Sequence, residues 1–159
     1  MTGNTGYDGT TRRRVSVDAR RLWSGGLATA FVAALVAVVG VLIARDVLGF
    51  GLEDSAVVLS VGGSFTFDYA LTAFLMALVA TALAHALSVS TPRPQAFFGW
   101  IIGLATVAAT VVPFATGGSL GGQISVAMIN LVIGLSIGSL LSTVLARTVF
   151  DAEASWQQR

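Results

Sequence analysis

The stretch "STPRPQAFFGW", Ser90–Trp100, lies between two long apolar runs. Two prolines and an arginine interrupt the chain, which then returns at once to Phe, Trp and Ile. Pro92 ends the preceding helix, because the residue before a proline is pushed out of helical space. Pro94 opens the next helix, where its missing N–H costs nothing. Arg93 suits a lipid headgroup region, and Phe97, Phe98 and Trp100 suit the aromatic belt of a membrane boundary, matched by Trp23 in an earlier run. The stretch therefore reads as a tight turn between two antiparallel membrane-crossing helices.

Working outward, uncharged apolar runs recur at 22–44, 70–90, 95–114 and 124–146. Each has about 20 residues or slightly more, enough to cross a hydrocarbon core of ~30 Å as a helix. Helices are required because lipid cannot satisfy open backbone groups. Composition agrees: hydrophobic residues are 55% and charged residues 11% of the 159, with a mean hydropathy of +0.83. The expected fold is an all-α membrane protein, a bundle of four antiparallel transmembrane helices spanning residues 20–147. Residues 1–19 read as a disordered segment and 148–159 as a short tail.

Direction follows from arginine, since all nine basic residues are Arg. They cluster before the first run (Arg12, Arg13, Arg14, Arg20, Arg21), at Arg93 and at Arg147, all on one side of a four-crossing thread. The connection between runs one and two sets Arg45 against Asp46, Glu53, Asp54 and Asp68, and the one between runs three and four is uncharged. The positive-inside rule then places both termini on the cytoplasmic side of the membrane. The apolar part of the first run is too long for a cleaved signal peptide. Paired arginines in Thr11–Val17 have the look of a twin-arginine signal, but Asp18–Arg21 separates them from the apolar run. Arg13–Ser16 also fits a basophilic phosphorylation site. A charged flank explains both.

In the outer connection, "AVVLSVGGSFTFDY" has two β-prone runs around Gly62 and Gly63. These point to a small β-hairpin lying on the helix ends, with an irregular loop as the alternative. Asp68 is placed to cap the second helix, and Arg45 and Asp46 to form a local ion pair or to snorkel. The tail is expected to extend the last helix, with Phe150 and Trp156 towards lipid.

Helix packing in lipid relies on small residues and polar bridges. Gly99, Gly103, Thr106 and Thr110 form one stripe on the third span. Asn130, Gly134, Gly138 and Ser142 form another on the fourth. Folded as a hairpin, Gly99 falls level with Ser142, Gly103 with Gly138, and Thr110 with Asn130. A second pair of stripes, Thr29, Ala33, Ala37 and Gly40 against Ala73, Ala77, Thr81 and His85, is available to the first two spans.

Polar residues inside spans are costly and mark candidate sites. His85, about 26 Å along its helix from Asp68, is a candidate proton-responsive group or an interfacial side chain bonded to Thr29, Thr81 or headgroup water. Asn130, about 9 Å inside the expected start of its helix, is a candidate substrate ligand or a helix-to-helix hydrogen bond to Thr110 or Thr72. The two lie too far apart in depth to share a site. No carboxylate lies mid-span, which argues against proton-coupled drug export through a buried glutamate. The chain has no cysteine and a single histidine, so thiol redox chemistry and bis-histidine haem within one chain are excluded. No Walker loop, metal-ligand set or catalytic triad is present.

At "LWSGGLATAFVAALVAVVGVLIARDVLG" (22–49), "TPRPQAFFGWIIGLATVAATVVPF" (91–114) and "INLVIGLSIGSLLSTVLAR" (129–147) the chain resembles a family of uncharacterised actinobacterial integral membrane proteins. That family is a domain of unknown function with four predicted spans. The resemblance implies a bacterial plasma-membrane protein and assigns no catalytic residue. The expectation is a non-enzymatic envelope component, without cofactor, metal or nucleic-acid partner. It would act through the lipid bilayer and through a homo-oligomer or a membrane protein partner. The alternatives are a small oligomeric transporter or channel, and a membrane sensor.

Overall fold

The computed structural model describes residues 19–91 and 93–154. The elements are α1 (Ala19–Leu42), continued by a π-helical turn at Ile43–Val47, then α2 (Phe65–Ser90), α3 (Pro94–Val111), α4 (Pro113–Thr116) and α5 (Leu120–Ala154). Four stretches are long and apolar enough to cross a membrane: Arg20–Val47, Phe65–Ser90, Pro94–Thr116 and Leu120–Ala146. The shortest has 23 residues, about 35 Å of helix and more than a ~30 Å core needs. The helices begin earlier than the uncharged runs because capping and turn residues join them. Residues 1–18, Pro92 and Trp156 lie outside the described residues, as do the side chains of Arg147 and Phe150, so the readings placed on them stay untested.

The bundle has two ends. The terminal end carries the start of α1, the end of α2 and the start of α3. The loop end carries the connections at 48–64 and 117–119. α1 packs against α2 and α5, α5 packs against α1 and α3, and α2 and α3 meet much less. Small residues make the α1–α2 seam: Ala30, Ala33 and Ala37 face inward on α1, with Ala73, Ala77, Ala80 and Ala84 on α2. Large residues such as Phe31, Leu35, Val39, Met76 and Leu104 point outward. At this seam the arrangement is the reverse of a water-soluble bundle's, where Leu and Phe fill the core; elsewhere Leu22, Phe98, Leu141 and Leu145 are buried. The arrangement at the seam suits helices whose outer surface meets hydrocarbon and whose seams depend on close backbone approach.

Three glycines set the approach of α1 to its neighbours. A Cβ at Gly26 would run into the Thr81 side chain on α2, and one at Gly25 would come within 2.8 Å of Val144 on α5. Near the loop end, a Cβ at Gly40 would meet Ile129 at 2.8 Å. Phe31 and Phe74 add an edge-to-face pair on the α1–α2 seam, with ring centroids 5.2 Å apart.

At the end of α1 the Leu48 N–H donates to the Ile43 carbonyl five residues back, at 3.0 Å. Such a widened turn turns the following chain through an extra step. Arg45 pairs with Glu53 at 3.1 Å, and not with its neighbour Asp46. Its guanidinium also lies 5.7 Å from the centre of the Phe65 ring.

The connection at 48–64 takes the irregular alternative, and among the described residues there is no strand. The reason is that α2 supplies the partners a second strand would have supplied. Leu59 N–H donates to Thr72 Oγ1 at 2.9 Å, and Val61 N–H donates to Asp68 Oδ1 at 3.3 Å. Asp68 is therefore not the cap of α2. Ser64 is, accepting from Phe67 N–H through its side chain, while Asp68 is buried one turn further in.

The first half of that connection docks on the other hairpin. A Cβ at Gly121 would enter the Phe50 ring, and one at Gly122 would strike the Gly51 carbonyl. Ser55, fully buried, donates to the Gly117 carbonyl at 2.9 Å, and Thr116 donates to the Ser55 carbonyl at 3.1 Å. Gly117 has φ of 108°, a conformation that glycine adopts without the penalty of a side chain.

Candidate functional site: the polar junction of α2, α3 and α5

Pro113 breaks the third span into α3 and α4. In an uninterrupted helix the N–H of residue 113 would bond to the carbonyl of residue 109. Proline has no N–H, so the Ala109 carbonyl loses its partner. An unpaired carbonyl inside an apolar bundle is expensive, and neighbouring helices must satisfy it. Asn130 on α5 does so: its Nδ2 donates to the Ala109 carbonyl at 2.7 Å. Its Oδ1 accepts from the Tyr69 hydroxyl on α2, also at 2.7 Å. This short chain of bonds ties three helices at one depth. Counted from Leu120, Asn130 lies about 15 Å into its helix, deeper than its distance from the apolar run implies.

Asn130 thus makes a bond between helices, with partners other than the expected Thr110 and Thr72. Thr110 instead donates to the Thr106 carbonyl at 2.8 Å, and Thr72 to the Asp68 carbonyl at 2.7 Å. Thr81 is buried and donates to the Ala77 carbonyl at 2.8 Å. Thr29, Thr106 and Ser136 also bond one turn back along their own helices. Such back-bonding satisfies a hydroxyl where no water is at hand.

His85 stands apart. It lies 16 residues beyond Tyr69 on α2, about 24 Å towards the terminal end. Its Nδ1 is buried without a hydrogen-bond partner. Thr29 and Thr81, the partners expected for it, are committed to backbone carbonyls.

The α3–α5 pairing keeps the expected depth but uses a different face of α3. Gly134 lies against Thr106, and a Cβ at Gly138 would come 3.3 Å from Ile102. Gly99 and Gly103 are turned outward with nothing within 4 Å of an added Cβ, and Ser142 is half-buried. Phe98, Ile102, Thr106, Ala109 and Pro113 form the face that meets α5, because the bulky Phe98 and the bonded Ala109 turn that side inward.

Beside the junction, between α2 and α3, is a cleft of about 400 Å³. Tyr69, Thr72 and Met76 line one side, Ala105 and Thr106 the other, and α5 forms its floor at Asn130 and Gly134. A second groove, of about 710 Å³, runs between α1 and α5 and is lined almost wholly by apolar side chains. Among the described residues, no three His, Asp or Glu side chains come together in a way that could hold a metal ion.

Tyr69 is the junction residue that the sequence reading passes over. It stands at the edge of an apolar run, where an aromatic reads as a boundary anchor. The available signal was Pro113: it announces a free carbonyl at Ala109, level with Asn130.

Comparison with known proteins names no activity. Residues 17–157 match the model of a family of unknown function, DUF6069, and the chain belongs to that family. No curated protein and no solved structure matches the chain.

Proposed function

We propose that this DUF6069 member is a multi-pass protein of a bacterial plasma membrane, with both termini in the cytoplasm, that works by non-covalent packing as an accessory or oligomeric envelope component and not by catalysis. The observation that carries the reading is that the polar side chains at the junction of α2, α3 and α5 join helices to one another. Asn130 and Tyr69 satisfy each other and the carbonyl freed by Pro113, and the buried threonines bond within their own helices. These groups hold the bundle together.

The outward surface supports the packing role. α3 is the least covered of the four spans, and Gly99, Gly103, Trp100 and Leu104 lie on its exposed side. A helix side that combines small and large residues in this way allows another helix to approach closely.

Crosslinking in native membranes tests the reading. A discrete oligomer or a constant membrane partner is expected. A strictly monomeric species without a partner would overturn it. Selective solute flux in proteoliposomes, abolished by Asn130→Leu in a folded protein, would favour a transporter instead.

A further inference from the structure

The cleft between α2 and α3 is built unlike the rest of the bundle surface. α5 gives it a floor, and Val57 and Val58 of the connection at 48–64 close it at the loop end. It therefore opens sideways, between two helices of membrane-spanning length, where the surrounding medium is hydrocarbon. Its volume of about 400 Å³ falls within the roughly 300–1,000 Å³ of ligand sites. None of the described residues lining it carries a charge, so a charged headgroup finds no counter-ion inside.

The junction leaves unused hydrogen-bonding capacity in the cleft. A carboxamide has two N–H donors, and Asn130 spends one on Ala109. The Tyr69 hydroxyl donates its hydrogen to Asn130 and keeps oxygen lone pairs as acceptors. Both residues line the cleft. A bare acyl chain leaves these groups unmatched, whereas one hydroxyl group can accept from the amide and donate to the phenol oxygen.

We propose that the α2–α3 cleft is a binding site for an uncharged, lipid-soluble molecule that carries a hydroxyl group on an apolar body, entering from the bilayer and anchored by Asn130 and Tyr69. The site rests on the membrane embedding proposed above, but not on the absence of catalysis. The groove between α1 and α5 is lined by apolar side chains apart from Ser125.

The test uses the full chain reconstituted in vesicles of phosphatidylcholine and phosphatidylglycerol. The probe is hexadecanol carrying a photoactivatable diazirine, with labelled peptides mapped by mass spectrometry. Saturable labelling is expected around Met76 and Ala105, competed by unlabelled hexadecanol and not by hexadecane. Ala105→Trp, which narrows one wall from an exposed position, is expected to abolish the saturable part. Met76→Trp is the equivalent block on the opposite wall. Tyr69→Phe keeps the shape and is expected to weaken competition by about three- to tenfold, the value of one hydrogen bond. Labelling spread evenly over outward residues such as Leu35 and Leu104, equal competition by hexadecane, or indifference to both tryptophan variants would overturn the proposal. Vesicle flotation separates the two readings: a protein that does not float with lipid sinks the membrane reading itself, while a floating protein without saturable labelling sinks the cleft alone.

Discussion

The Asn130 side chain donates to the Ala109 carbonyl at 2.7 Å, taking the place of the N–H that Pro113 lacks. A break in one helix is thus repaired by a side chain on another, and the two residues are energetically coupled although they lie on different helices. Asn130→Leu is expected to cost about 1–3 kcal/mol, because it leaves a buried carbonyl unpaired. Pro113→Ala restores the missing N–H. In that background the same Asn130→Leu change is expected to cost less than about half as much. Unfolding in detergent, followed by helical circular dichroism, measures all four corners of the cycle. Equal costs in both backgrounds would show that the bond carries no coupling.

The glycines divide into two groups. Gly26→Ala and Gly134→Ala push a methyl group into Thr81 and Thr106, and each is expected to destabilise the bundle by about 1–3 kcal/mol. Gly99→Ala and Gly103→Ala meet nothing. They are expected to leave the isolated bundle unchanged or to stabilise it by up to about 1 kcal/mol through helix propensity. Thermal unfolding of the four variants in one detergent checks the contrast, and a loss at Gly103 equal to that at Gly26 would refute it.

The loop end is held by few contacts, so its opening is separable from global unfolding. Ser55→Ala removes the donor to the Gly117 carbonyl, at an expected cost of about 1 kcal/mol. Amide exchange of Leu52–Ala56 is expected to accelerate while that of the α1–α2 seam stays unchanged. Acceleration across all four helices would mean that this cap is part of the global cooperative unit.

Because the chain contains no cysteine, direction in the membrane is readable with single substitutions. Ser60 and Arg93 are both exposed, at opposite ends of the bundle. A membrane-impermeant maleimide added to intact cells is expected to modify Ser60→Cys, and to reach Arg93→Cys after permeabilisation alone. The reverse pattern would invert the topology.

The four helices were legible because hydropathy over some twenty residues sums many small terms of one sign. Their ends were less so. Asp68 is a good cap residue, but Ser64 lies one turn earlier and takes that place once the chain before it runs along α2. The hairpin signal around Gly62 and Gly63 was locally sound. It lost to tertiary partners, Thr72 and Asp68, that sit several residues further along. At the junction, Asn130 stood out as a costly polar residue, yet its backbone partner could be named only by asking what Pro113 leaves behind. The outward turn of Gly99 and Gly103 was hidden for a different reason. A four-residue stripe states which residues share a side of a helix, not which side faces the neighbour. Phe98 and Ile102 occupy the facing side.

α2 and α3 meet weakly, so the α1–α2 and α3–α5 hairpins are joined chiefly through the packing of α1 on α5. α1 with α2 closes around its alanines, and α3 with α5 already contains the repair of its own proline break. Severing the chain at Arg93 would leave two fragments, each with two helices long and apolar enough to cross a membrane, and the second would keep the partner of its Ala109 carbonyl. What remains to bring them back together is the contact of Gly25 and Gly40 with α5, the docked connection at 48–64, and the phenol of Tyr69 reaching for Asn130. Reassembly of co-expressed halves therefore depends on surfaces already present in each piece, and not on the short link between them.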